Sequence, residues 1–137
     1  MGDSELTHYD VRATRVSPKR TRVTTDDAEF VVGRDVNPVE YFLGSVLACL
    51  NSTGTMVARD MNIDIESLEA RVEGDVNYAA YRGEESADRP GLQGLEVTLT
   101  VETTGDADLD AWLTAVKDRC PVTDNVEHET DLTVTLD

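Results

Sequence analysis

The chain has 137 residues, with 28 acidic side chains against 12 basic ones, and a net charge of −16. That length suffices for one domain with a modest core, and such a charge disfavours nucleic acid as a partner because a phosphate backbone would be repelled. Two cysteines are too few for a secreted disulfide framework, and Cys49 and Cys120 lack the close spacing of a metal site.

In chain order, residues 5–16 (ELTHYDVRATRV), 19–25 (KRTRVTT) and 28–33 (AEFVVG) alternate polar residues with β-formers. Ser17-Pro18 and Asp26-Asp27 separate them, so they read as an antiparallel meander. Asn37-Pro38 then supplies a helix cap and a first-turn proline, and Val39 to about Met61 has helical length, interrupted only by Gly44 and Gly54. Residues 65–80 and 92–103 alternate again and read as two strands joined by the aperiodic loop YRGEESADRPG. Asp106 to Cys120 fits a second helix, with Leu109, Trp112, Leu113 and Val116 on one face and Asp108 and Asp110 near its positive N-terminus. Cys120-Pro121 ends that helix; VTDNVEH reads as a short helical or irregular piece, and TDLTVTLD as a last strand. The order βββ, α, ββ, α, β predicts a single α+β domain over residues 1–137, with helices packed on mostly antiparallel sheet.

Between Val39 and Leu50 the side chains of Val39, Tyr41, Phe42, Leu43, Val46, Leu47, Ala48 and Leu50 point in nearly every direction. Such a helix is expected to be buried on all sides. A chain of this size has little material to surround it, so a second copy is the economical cover, and a homodimer with these helices at the interface is predicted. The same helix holds one carboxylate, Glu40, and one thiol, Cys49. Nine residues amount to about two and a half turns and about 13 Å of rise, so the two groups face opposite sides and cannot meet within one straight helix. If they act together, Glu40 comes from the other chain.

The stretch NPVEYFLGSVLACL, followed about 70 residues later by CPVT, resembles the OsmC/Ohr superfamily of osmotically inducible and organic hydroperoxide resistance proteins. Members share an Asn-Pro-x-Glu helix start, a cysteine nine residues past the glutamate and a distal Cys-Pro-Val. The order of elements agrees as well, so the resemblance spans essentially the whole chain. It implies an OsmC-like fold, an intertwined homodimer with active sites at the interface, and thiol-dependent reduction of organic hydroperoxides. Carried over by position, Cys49 matches the peroxidatic cysteine, Cys120 the resolving cysteine, and Glu40 the glutamate that positions a catalytic arginine. The implied chemistry needs no metal and no bound cofactor, only an external dithiol to reopen the disulfide.

A peroxidatic thiolate needs a cation, since a buried thiol is otherwise pushed above its usual value, and arginine suits both the thiolate and a carboxylate. The chain departs from the pattern here. Where OsmC-type members carry an arginine, about eleven residues before the glutamate, this chain has Glu29. Arg34 is the nearest replacement, with Arg15, Arg20 and Arg22 in the early strands as others.

The plainer readings stay beside these. Cysteine is among the most buried residue types, and Glu40 suits the first turn of any helix. His8 and His128 have no local spacing that would join them to the cysteines at zinc or make one a base, and they read as surface residues. The acids are spread along the whole chain and the bases are ten arginines with only Lys19 and Lys117, a composition that reads as salt adaptation of the halophilic kind. No run reaches about 18 consecutive apolar residues and the opening residues lack the regions of a secretory signal, so a cytoplasmic location without a membrane partner is expected. Two function classes follow: a cysteine peroxidase acting on organic hydroperoxides in oxidative stress, or a non-catalytic OsmC-like dimer that binds a small apolar ligand or partner.

Overall fold

Proline at position 18 and the paired aspartates at 26 and 27 turn the N-terminal segment back on itself twice. The computed structural model, which describes residues 4–137, shows the result as strands β1 (Arg12–Ser17), β2 (Arg20–Thr24) and β3 (Glu29–Val32) in one antiparallel sheet of order β1-β2-β3. Arg12 pairs with Thr24, and Thr21 with Val32, across the two ladders. The Thr25 hydroxyl oxygen accepts from the amides of Asp27 and Ala28 at 3.3 and 3.0 Å, which closes the second turn. Gly33 follows with φ +96°, and a Cβ there would lie 1.9 Å from the Lys19 carbonyl oxygen, so only glycine fits. The first strand is shorter than expected from its alternation. β2 ends at Thr24, opposite Arg12, and residues 5–11 have no facing strand to pair with among the described residues.

The chain divides after Phe42 into two compact units. The helix that carries it from one to the other, α1 (Pro38–Asp60), begins with Asn37 as its cap. It ends where Asn62 takes φ 55°, with Ile63 N–H donating to the Ala58 carbonyl at 2.8 Å and Asn62 N–H to that of Arg59 at 3.4 Å, a Schellman closure built on asparagine.

The second unit adds a long antiparallel hairpin of β4 (Ile65–Val76) and β5 (Leu92–Thr103), then α2 (Leu109–Arg119) and α3 (Pro121–Glu127). Leu95, Val97, Leu99 and Val101 recur at period two on β5 and pack against the core made by Val46, Leu50, Val57, Ala58, Trp112, Val116 and Cys120. α2 starts three residues later than the sequence pattern predicts, because Asp108 caps it by accepting from Ala111 N–H at 3.1 Å. It stops at Arg119, since the residue before a proline is disfavoured in the helical region; Cys120 is extended (φ −81°, ψ 113°) and Pro121 opens α3. Gly54 seats α2 on α1: the Trp112 indole N–H donates to the Gly54 carbonyl at 2.9 Å in the buried core.

Two expectations change. The helix expected to be buried on all sides buries one stripe only, Val46, Leu50, Gly54, Val57 and Ala58, and leaves Tyr41, Phe42 and Met56 exposed. By length and composition α1 would reach across a membrane, yet that stripe makes it the core helix of the second unit. The expected last strand forms no ladder. Leu132, Val134 and Leu136 are 85%, 84% and 101% exposed, and no strand among the described residues lies alongside them. An alternating pattern becomes a strand only where an edge receives it.

Candidate functional site

The two cysteines, 71 positions apart, come together in the second unit. α1 presents Cys49 one residue before the buried Leu50, so its sulfur lies at the margin of the core and is half-buried. Cys120 sits in the extended junction between α2 and α3, where the Pro121 constraint turns it inward, and it is 1% exposed. Both are free thiols. The Cys49 and Cys120 side chains are neighbours, and Thr53 and Thr123 adjoin the pair, the Thr123 hydroxyl donating to the Cys120 carbonyl oxygen at 3.3 Å. Thr53 lies one helical turn after Cys49, with Oγ1 3.8 Å from Cys49 Sγ. Burial alone pushes the Cys120 thiol up. Hydrogen bonds from the Thr123 hydroxyl and amide, then from Cys49 and Thr53, more than offset it, and the thiol lies below its ordinary value.

Glu40 and Arg34 belong to the N-terminal unit. Glu40 and Asn37 form a capping box: Glu40 N–H donates to Asn37 Oδ1 at 2.9 Å, and Asn37 N–H to Glu40 Oε1 at 3.0 Å. This carboxylate therefore has a structural task that the spacing alone did not reveal. Arg34 is exposed in the turn between β3 and α1. Glu29, at the position where an arginine was sought, pairs with Arg22 at 3.1 Å, so a guanidinium is adjacent to it, contributed by the neighbouring strand. His128 pairs with Asp124 on α3 at 3.0 Å and is well exposed, as expected of a surface residue.

Sequence reasoning missed Thr53 and Thr123. Each had a signal: Thr53 is at i+4 from Cys49 on a helix, and Thr123 is the last residue of the CPVT motif. An apolar groove of about 490 Å³ lies beside this cluster, walled by Val46, Leu50, Leu95, Val97, Leu99 and Leu113. Thr123 forms part of the wall, and Lys117 and Glu127 supply its charges. Among the described residues no group of three or more His, Cys, Asp or Glu is arranged to hold a metal ion.

The family model described as OsmC-like protein matches residues 32–135, a span that includes both cysteines and both threonines. The chain belongs to the OsmC-like family. Solved structures agree on the α+β fold. An OsmC-like protein from Mycoplasma pneumoniae is similar at 16% identity and TM-score 0.77, over 90% of this chain and 89% of that one. The organic hydroperoxide resistance protein OhrB of Bacillus subtilis is similar at 22% identity and TM-score 0.57, over 93% of this chain and 96% of that one. The organic hydroperoxide resistance protein OsmC of Legionella pneumophila is similar at 19% identity and TM-score 0.61, over 90% and 91%. At these identities the likeness shows the fold. No curated protein matches the sequence. In this OsmC-like chain, then, the distinctive local arrangement is a pair of adjacent thiols with two threonine hydroxyls, one thiol half-buried and the other fully enclosed.

Proposed function

We propose that this OsmC-like protein is a thiol-dependent peroxidase that reduces organic hydroperoxides to alcohols in oxidative stress defence. The observation that carries the reading is the side-chain contact of two free thiols of unequal exposure, Cys49 and Cys120. Cys49, the more accessible, attacks the outer peroxide oxygen as a thiolate; the O–O bond breaks, alcohol leaves, and Cys49 becomes a sulfenic acid. Cys120 then condenses with it to a disulfide and water, and an external dithiol restores both thiols. The apolar groove favours a greasy hydroperoxide over hydrogen peroxide.

The working unit is a cytoplasmic homodimer of a single-domain chain. Its support is the apolar surface that one copy leaves open: the exposed residues of α1 and the alternating Leu132, Val134 and Leu136. The cation that stabilises the Cys49 thiolate is an arginine brought by the partner and oriented by Glu40. Arg34, exposed beside α1, is the first choice; Arg22, beside Glu29, is the second. A second reading, a non-catalytic dimer holding a small apolar ligand, is favoured by Glu29 standing where an arginine was sought.

Mass spectrometry after a stoichiometric dose of cumene hydroperoxide separates the two. The peroxidase forms a Cys49–Cys120 disulfide in wild type, a trapped Cys49 sulfenic acid in Cys120→Ser, and neither in Cys49→Ser. A wild type that stays reduced, in low salt and in concentrated salt alike, refutes the enzyme.

A further inference from the structure

Charge is segregated along this chain. Residues 12–22 hold Arg12, Arg15, Lys19, Arg20 and Arg22 and no acid, whereas residues 43–137 hold 20 of the 28 acids. The sheet registers turn this segregation into two surfaces of opposite sign. On β2, Arg20, Arg22 and Thr24 are exposed while Thr21 and Val23 are half-buried, and Arg12 stands opposite Thr24, so three arginines share one face of the N-terminal sheet. Arg12 leans on Asp10 at 3.4 Å and Arg22 on Glu29 at 3.1 Å. The side chains of Arg20, and of Lys19 in the adjoining turn, have no ion pair among the described residues. On the β4–β5 hairpin, Leu68, Leu95, Val97, Leu99 and Val101 pack on the core. The exposed positions between them carry Glu69, Glu73, Glu96 and Glu102 against one base, Arg71, which is bonded to Glu73. Glu73 and Glu96 stand directly opposite each other across the ladder, and like charges so placed repel. Glu69, Glu96 and Glu102 have no cation beside them among the described residues.

We propose that the basic β1–β2 hairpin of one copy engages the acidic β4–β5 hairpin of a second copy, and that each dimer makes this contact twice. This rests on the homodimer reading above and names the surfaces that steer it. Charge complementarity selects the occupant. The surface that answers the arginines lies on the same chain, and its Glu73–Glu96 repulsion is relieved by an incoming guanidinium. A nucleic acid or an anionic bilayer at the basic hairpin would have to approach a chain of net charge −16, whose remaining surface repels it. A two-fold axis closes the arrangement, because the basic patch of each copy meets the acidic patch of the other. Each exposed pair is weak, a factor of about 1.4 to 5 in affinity, and salt screens it. The contact therefore fixes which surfaces meet and in what orientation, while apolar burial supplies most of the association.

Pairing preference between two full-length variants tests the contact. Lys19→Glu with Arg20→Glu turns the basic hairpin acidic, and Glu69→Lys with Glu96→Lys turns the acidic hairpin basic. None of these four side chains has an ion pair within the chain among the described residues, so no such pair is broken. Each variant paired with itself sets like charge against like at both contacts, whereas a mixed dimer has opposite charges at both. The two are co-expressed, and the dimers are counted by native mass spectrometry at low salt. We expect mixed dimers to outnumber the two homodimers together by about tenfold. The neutral set, with Gln at the same four positions, keeps one attractive contact in the mixed dimer and none in the homodimers. Its preference is expected at about twofold, and it carries the test where a reversal does not fold. Reversals at Arg59 and Arg82 in one chain and at Asp118 and Glu129 in the other, outside both hairpins' strands, set the preference that net charge alone produces, which is expected close to random. A preference in the hairpin sets no larger than that of this control overturns the proposal and leaves the homodimer standing. A wild type that is monomeric at low salt overturns both.

Discussion

Two glycines in one helix receive opposite predictions. Gly54 and Gly44 both lie inside α1, where replacing glycine by alanine gains about 1 kcal/mol of helix propensity when nothing else intervenes. At Gly44 a Cβ would meet nothing within 4 Å. At Gly54 it would lie 2.7 Å from Cζ2 of Trp112, against the edge of a ring that is only 2% exposed. Overpacking of this kind costs about 1–3 kcal/mol. A shifted ring also loses its 2.9 Å bond to the Gly54 carbonyl, and an unpaired buried N–H adds about 1–3 kcal/mol. Gly54→Ala is therefore expected to lose about 1–5 kcal/mol net, and Gly44→Ala to gain up to about 1 kcal/mol. Thermal unfolding followed by circular dichroism, at one protein concentration so that association does not shift the midpoint, should lower Tm by about 4 °C per kcal/mol for the first variant and raise it for the second. A Gly54→Ala/Trp112→Phe pair should be less unstable than the sum of its parts, because the smaller ring makes room for the methyl group. A Gly54→Ala protein as stable as Gly44→Ala would refute the account of how α2 is seated on α1.

Three further outcomes follow from the site and its surroundings. Glu40→Ala should cost about 1 kcal/mol by breaking the capping box, whereas Glu40→Gln, which can still accept from Asn37 N–H, should unfold within about 0.5 kcal/mol of wild type in urea. A loss of peroxidase activity in the stable glutamine variant would then mark an electrostatic role for the carboxylate. The Cys120 thiol is depressed on folding, so the folded state binds fewer protons than the unfolded one between its folded value and its ordinary value of 9.0. Stability from this group is thus fully present above that ordinary value and is lost as pH falls through the lower, folded one. Reduced wild type should gain stability over that window, and Cys120→Ala should show a smaller rise in urea midpoint. For the assembly, Leu132→Asp with Val134→Asp should convert a dimer into monomers in sedimentation velocity, since the substitutions place charge on the exposed alternating face of the C-terminal segment. A dimer that survives them would mean that the cover lies on α1 alone.

Much of the fold was readable in the chain because its signals are local. Alternation marked β2, β3 and β5, Asn37-Pro38 marked the start of α1, and Cys120-Pro121 the end of α2, each resting on backbone restrictions that act within a few residues. The two motifs and their spacing likewise pointed to the OsmC-like family, and the family match over residues 32–135 agrees with that. Other features were decided only by tertiary structure. The proximity of thiols 71 residues apart, and of the two threonines beside them, depends on α1 and the α2–α3 junction meeting across Trp112, Val116 and Val57. The fate of TDLTVTLD also depended on tertiary structure: its alternation is as clear as that of β5, but β5 has β4 to receive its hydrogen bonds and the last eight residues have no such edge among the described residues. Propensity and period are properties of one segment, which a sequence carries whole. A ladder, a buried sulfur and its donors are properties of two segments, and only the packing that joins them fixes whether they exist.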